Sequence, residues 1–187
     1  MVYAIPGVVI TAVTFPGVIV HELSHQIACR ICKVPVFEVK YYQSKNPAGY
    51  VVHEVPSNPW KSLFISVGPF IFNTILGMII TLPAYSIIDG FYTMDTSIGA
   101  MLFLMKIVLY WLGISIMMHA FPSTGDAKSM TKSILNNKEV NIFARIVSAP
   151  LIGLCYIGAI GSIAWLDLFY AIGMSAILPN VLTMFIN

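Results

Sequence analysis

Hydrophobic residues along this chain come in long unbroken runs, not in the three-to-four spacing of a surface helix. Five runs, near 4–29, 62–87, 97–120, 142–164 and 168–186, are long enough to cross roughly 30 Å of hydrocarbon at about 1.5 Å per residue. Only Trp165-Leu166-Asp167 separates the last two. Between the first two runs the pattern changes to period two, over 36–42 and again over 50–55, with turn chemistry in Asn46-Pro47-Ala48-Gly49. These elements predict an all-α polytopic membrane protein of about five transmembrane helices, with a small β-hairpin after the first.

Composition agrees with that pattern. Hydrophobic residues make up 58% of the 187 positions and charged residues 10%, and the mean hydropathy is +0.84. Ten basic and eight acidic side chains cannot coat a soluble domain of this length. A net charge of +2 gives no reason to expect nucleic acid, so the expected surroundings are the lipid bilayer. The cysteines Cys29, Cys32 and Cys155 do not form a secreted disulfide framework. The apolar start reads as the first span, because no basic residues precede it as they would in a removable leader.

Charge then orients the spans. Arg30, Lys33, Lys40, Lys45 and Lys61 crowd the first loop, and Lys128, Lys132, Lys138 and Arg145 the third. Asp89 and Asp95 are the charges of the second loop and Asp167 that of the fourth. The expectation is a cytoplasmic first and third loop, an outside N-terminus and a cytoplasmic C-terminus. The hairpin then lies on the cytoplasmic side.

One motif inside the first run carries chemistry. His21-Glu22-Leu23-Ser24-His25 is H-E-x-x-H, and on a helix positions i and i+4 share a face, so both imidazoles can meet one metal ion. Two histidines and a carboxylate in an apolar helix are costly and point to function. The bland alternative is a hydrogen-bonded helix end near the headgroups. A catalytic zinc site takes three protein ligands and one open position. Asp126 follows the third run at the same expected depth, and Pro122 and Gly125 break the chain so that it can turn back into the bundle. Its alternative role is to cap the polar segment that follows. Cys29 and Cys32 lie on the face of His25 and form a weaker C-x-x-C candidate. His53 on the second strand reads as a surface histidine, His119 is near enough to join the site, and Lys106 in the third run snorkels or faces a watery cavity.

Taken together, these residues resemble the site-2 protease family of intramembrane zinc metalloproteases. The H-E-x-x-H of 21–25 matches in full, and Ala48-Gly49-Tyr50-Val51 is similar to the family's Gly-Gly-Tyr-Val turn into a strand. Gly68-Pro69 with Asn73 resembles its G-P-x-x-N signature with one extra residue. His119-Ala120-Phe121-Pro122 stands at its N-x-x-P with histidine for asparagine. Thr124-Gly125-Asp126-Ala127 keeps only the aspartate of its Leu-Asp-Gly. The likeness covers about residues 15–130 of a single 1–187 membrane domain, and the helices of 142–186 carry no signature.

The resemblance implies one zinc on His21, His25 and Asp126, with Glu22 moving the proton and Asn73 or His119 stabilising the oxyanion. The implied substrate is a protein with a transmembrane segment, cut near the cytoplasmic side after local unwinding, with an edge of the 36–55 hairpin as its seat. Pro16-Gly17 is expected to kink the first span and open a path for water. Two rival readings are a proteolytically silent zinc protein that binds or escorts membrane partners, and a metal or ion transporter.

Overall fold

The computed structural model describes residues 7–84 and 96–186. The outer ends of the first two predicted runs, and Asp89 and Asp95 of the second loop, lie outside these residues.

The first run is not one helix. Helix α1 (Gly7–Val13) and helix α2 (Phe15–Ile31) meet at Thr14 with a bend of 83°. Pro16, at the start of α2, has no N–H to continue the ladder, and its ring excludes the carbonyl of Ala12 from a straight helical path. The expected kink is therefore a full elbow, and α2 alone has 17 residues. Its other end closes with Lys33 in the left-handed region (φ 55) and Val34 N–H donating to the Cys29 carbonyl at 2.9 Å.

Strands β1 (Val36–Lys40) and β2 (Tyr50–His53) pair antiparallel with Val39 opposite Val51, so the hairpin forms with shorter strands than the alternation predicted. Helix α3 (Pro59–Thr81) starts at Asn58, whose side chain accepts from Trp60 N–H, and runs on as a 3-10 turn to Ala84. Helix α4 (Ser97–Met118) is capped by Thr96 in the same way. The short helix α5 (Thr124–Met130) leads into a π-type turn (Thr131–Leu135). Helix α6 (Ile142–Gly161), extended by a 3-10 turn to Ala164, and helix α7 (Leu166–Ile186) complete the chain.

Among the described residues, four helices are long and apolar enough to cross a membrane: α3 and α6 with their extensions, α4 and α7. A fifth span results if α1 and α2 are taken as one broken crossing. Large apolar side chains such as Ile98, Met101 and Leu104 on α4 and Phe169 on α7 face outward. Lipid accepts such a surface and water does not, so this is a membrane protein.

Inside the bundle, α2 passes close against α4. A Cβ added at Gly17 would lie 2.0 Å from the Ser115 carbonyl oxygen, so only glycine permits this approach. On the other side, Ala127 and Met130 of α5 pack with Val67 of α3 and with Ile152 and Cys155 of α6. That packing seats α5 against α3.

Candidate metal centre

His21 and His25 sit one turn apart on α2 with ring centroids 4.8 Å apart. The break after α4 brings Asp126 to them. One ligand atom each from His21, His25 and Asp126 lie within 4.8 Å of one another, and His25 Nε2 is 3.5 Å from Asp126 Oδ2. This group could hold a metal ion.

The supports of the two histidines explain why Nε2 is the free nitrogen. Pro69 lies inside α3 and has no N–H, so the carbonyl four residues earlier, that of Ile65, lacks its helical donor. His25 Nδ1–H donates to that carbonyl at 3.0 Å. The carbonyl of His119 is left over where α4 ends, since Pro122 blocks continuation, and His21 Nδ1–H donates to it at 2.6 Å. With both Nδ1 hydrogens committed to carbonyls, both Nε2 lone pairs are available, the tautomer a metal requires. In an apolar layer a freed carbonyl must find a partner, and here the partners are the two imidazoles.

Asp126 is not the N-cap itself but the third residue of a capping box, and it faces the two histidines. Ser123 is the N-cap of α5, with its Oγ accepting from Asp126 N–H at 3.1 Å, while Asp126 Oδ2 accepts from Ser123 N–H at 3.0 Å. This capping box fixes the carboxylate while it faces His25. Two nitrogens and a carboxylate oxygen are a suitable donor set for zinc with one position open.

Glu22 follows His21 and is 8% exposed. The turn of the hairpin rests on it: a Cβ on Gly49 would lie 2.6 Å from Glu22 Cγ and 3.0 Å from Oε1. Glycine at this position lets the turn reach the carboxylate. A cavity of about 660 Å³, lined by His21, Glu22, Gly49, His119 and Pro122 among others, reaches the cluster at His21.

The two oxyanion candidates are placed differently. The ring of His119 is on the cavity wall, with Nε2 2.8 Å from Thr14 Oγ1. Asn73 is fully buried, and its amide donates to the Ile116 carbonyl at 3.3 Å and the His119 carbonyl at 3.0 Å, while its oxygen accepts from Ser24 Oγ at 2.7 Å. Both amide hydrogens are thus used, and Asn73 ties α2, α3 and α4 together behind the histidines.

The remaining candidates lie apart from the metal group. Cys29 is a free thiol buried beside Ile65, and Cys32 is free at the end of α2. His53 Nδ1 donates to the adjacent Glu54 carbonyl. Lys106 is half-buried on α4.

Sequence reasoning missed Thr14 and Ser115, which clasp the elbow. Ser115 Oγ accepts from Gly17 N–H at 3.0 Å and donates to the Thr14 carbonyl at 2.9 Å. Small hydroxyl residues in an apolar run were the only signal for them. Neither a family model, nor a curated protein, nor a solved structure matches this chain.

Proposed function

We propose that this chain is an intramembrane zinc metalloprotease of the site-2 protease type, hydrolysing a peptide bond of a membrane-spanning substrate. The observation that carries this reading is the convergence of His21, His25 and Asp126 within 4.8 Å, beside the carboxylate of Glu22 in an apolar helix bundle. A zinc ion held there supplies a Lewis acid for the scissile carbonyl and makes water more acidic. Glu22 then accepts a proton from the attacking water on a carboxylate oxygen and returns it to the leaving nitrogen. His119, on the cavity wall, is the polar side chain for the developing oxyanion once its Nε2–H, which Thr14 Oγ1 accepts in this structure, turns to the substrate, and Asn73 braces the backbone behind it. The Gly49 turn keeps bulk water from Glu22 on one side. Basic residues of the first and third loops orient the chain with its N-terminus outside and its C-terminus in the cytoplasm.

The test is Glu22→Gln. This nearly isosteric change leaves both imidazoles and Asp126 in place, so zinc content should not change. An amide cannot take up the proton, so cleavage of a single-span substrate in liposomes should fall by several orders of magnitude, on the order of 10² to 10⁴ from the proton-transfer role alone. Equal cleavage by both proteins at equal zinc content sinks the mechanism. Full zinc with no cleavage by either, across a broad substrate panel, leaves a zinc-retaining binder instead.

A further inference from the structure

The cavity that holds His21 and Glu22 is also lined by Trp165 and Asp167, from the junction between α6 and α7. Neither residue belongs to the metal cluster or to the proton-transfer step. Trp165 ends the 3-10 turn with φ 62 and ψ 22, a left-handed conformation that bulky side chains rarely adopt and that glycine would adopt without strain. An indole therefore stands on the cavity wall where the backbone alone would favour glycine.

Asp167 follows within the first turn of α7, and its Oδ1 accepts from the Leu168 N–H at 2.9 Å. It is half-buried and, among the described residues, has no cationic partner. The described lining of the cavity contains no lysine or arginine, while Glu22 adds a second carboxylate. Zinc bound through His21 would answer the neighbouring Glu22, whereas no lysine or arginine of the described lining answers Asp167, so a positive group is favoured beside Asp167. A tryptophan and an aspartate two residues apart on one cavity wall are suitable residue types for an ammonium or guanidinium group.

We propose that Trp165 and Asp167 form a substrate subsite that selects a cationic group, a lysine or arginine side chain or a free N-terminal ammonium, on the segment entering the cavity. The proposal rests on the protease reading and names the class of substrate it takes. The junction joins two helices of membrane-spanning length, so it lies at a membrane edge, where the polar flank of a transmembrane segment ends. The competing role for Asp167 is to stabilise the N-terminus of α7. Asparagine keeps an oxygen for the Leu168 N–H and removes the charge, so Asp167→Asn separates the two roles.

Binding is measured in the Glu22→Gln background, where the ligand is not consumed. Three Leu/Ala transmembrane peptides serve as probes in detergent: N-acetylated with one lysine scanned along the flank, the same with norleucine for lysine, and the norleucine peptide with a free N-terminus. At its best position the lysine peptide should bind about tenfold tighter than the norleucine peptide, as a partly buried charge-assisted contact implies. The preference should vanish with Asp167→Asn, persist with Asp167→Glu and weaken with Trp165→Phe. Tighter binding of the free-amine peptide identifies the N-terminal ammonium as the preferred source, and tighter binding of the lysine peptide identifies the side chain. Equal binding of all three peptides, no binding of any, or a preference that survives Asp167→Asn overturns the subsite. If Asp167→Asn fails to fold, Asp167→Glu and Trp165→Phe still decide the outcome. Cleavage by the unmodified protein is a separate readout. A lysine preference without cleavage keeps the subsite and removes the protease, and cleavage without a preference does the reverse.

Discussion

The break in α3 at Pro69 and the break after α4 at Pro122 each release a backbone carbonyl to a histidine of α2, but only the second ends its helix. At Pro69 the helix continues from Pro59 to Thr81, so the change is local: one carbonyl, that of Ile65, goes to His25. After α4 the chain turns, its last carbonyls go to His21 and Asn73, and a new helix begins with Ser123 and Asp126 locked in a capping box. One break orients a ligand that another helix supplies. The other orients one ligand and delivers the next. Irregular backbone in an apolar layer is tolerated where side chains satisfy it, and here those side chains include the two histidines of the candidate metal group.

The comparison is broken most severely by removing what the second break delivers. Asp126→Ala and His21→Ala should each reduce bound zinc from about one per chain to near none, because two remaining donors do not hold a catalytic zinc tightly. Elemental analysis of the purified variants is the measurement. Full occupancy in Asp126→Ala would place the third ligand elsewhere.

The first break is tested by repairing it. Pro69→Ala restores an N–H that reaches for the Ile65 carbonyl and competes with His25 for it. Losing such an outer support typically costs about 10- to 100-fold in metal affinity. The helix itself should gain stability, since an interior proline costs about 3 kcal/mol in an ordinary helix. Weaker zinc in a chelator competition, together with an unchanged or raised melting temperature, is the expected pair of results. Unchanged affinity would mean that His25 needs no carbonyl to hold its orientation.

The sequence made much of this legible, and the limits have physical causes. Spans were readable because burial in lipid demands uninterrupted apolar runs, and the run at 142–164 coincides with α6 and its extension. H-E-x-x-H and the return of Asp126 were readable because ligand spacing on a helix and a proline–glycine break are both local signals. The 83° elbow was only half readable: Pro16 announced a kink, but its angle depends on how Ser115 and Thr14 bond across two helices. The position of Asn73 was expected, but its use was not, because whether an amide is free or engaged depends on which carbonyls the neighbouring helix leaves open. Pro69 could have been connected with His25 only by knowing that α2 and α3 pack side by side.

The smallest effect on the metal, and the sharpest separation of backbone from side chain, is expected at His119. His21 is held by the carbonyl of residue 119, not by its imidazole. His119→Ala keeps that carbonyl and the one at Ile116, so Asn73 also keeps both of its acceptors. Thr14 loses a partner but still donates to the Ile10 carbonyl at 2.7 Å, so no buried hydroxyl is orphaned and the stability cost should be about 1 kcal/mol. Zinc occupancy should therefore match that of the unmodified protein. If the imidazole stabilises the oxyanion, turnover should nevertheless fall by about 10² to 10³ with little change in KM, the pattern of an interaction made only in the transition state. Lost zinc in His119→Ala would show that the ring, and not the helix end, supports His21. Unchanged turnover would remove His119 from the chemistry and leave the oxyanion to another donor.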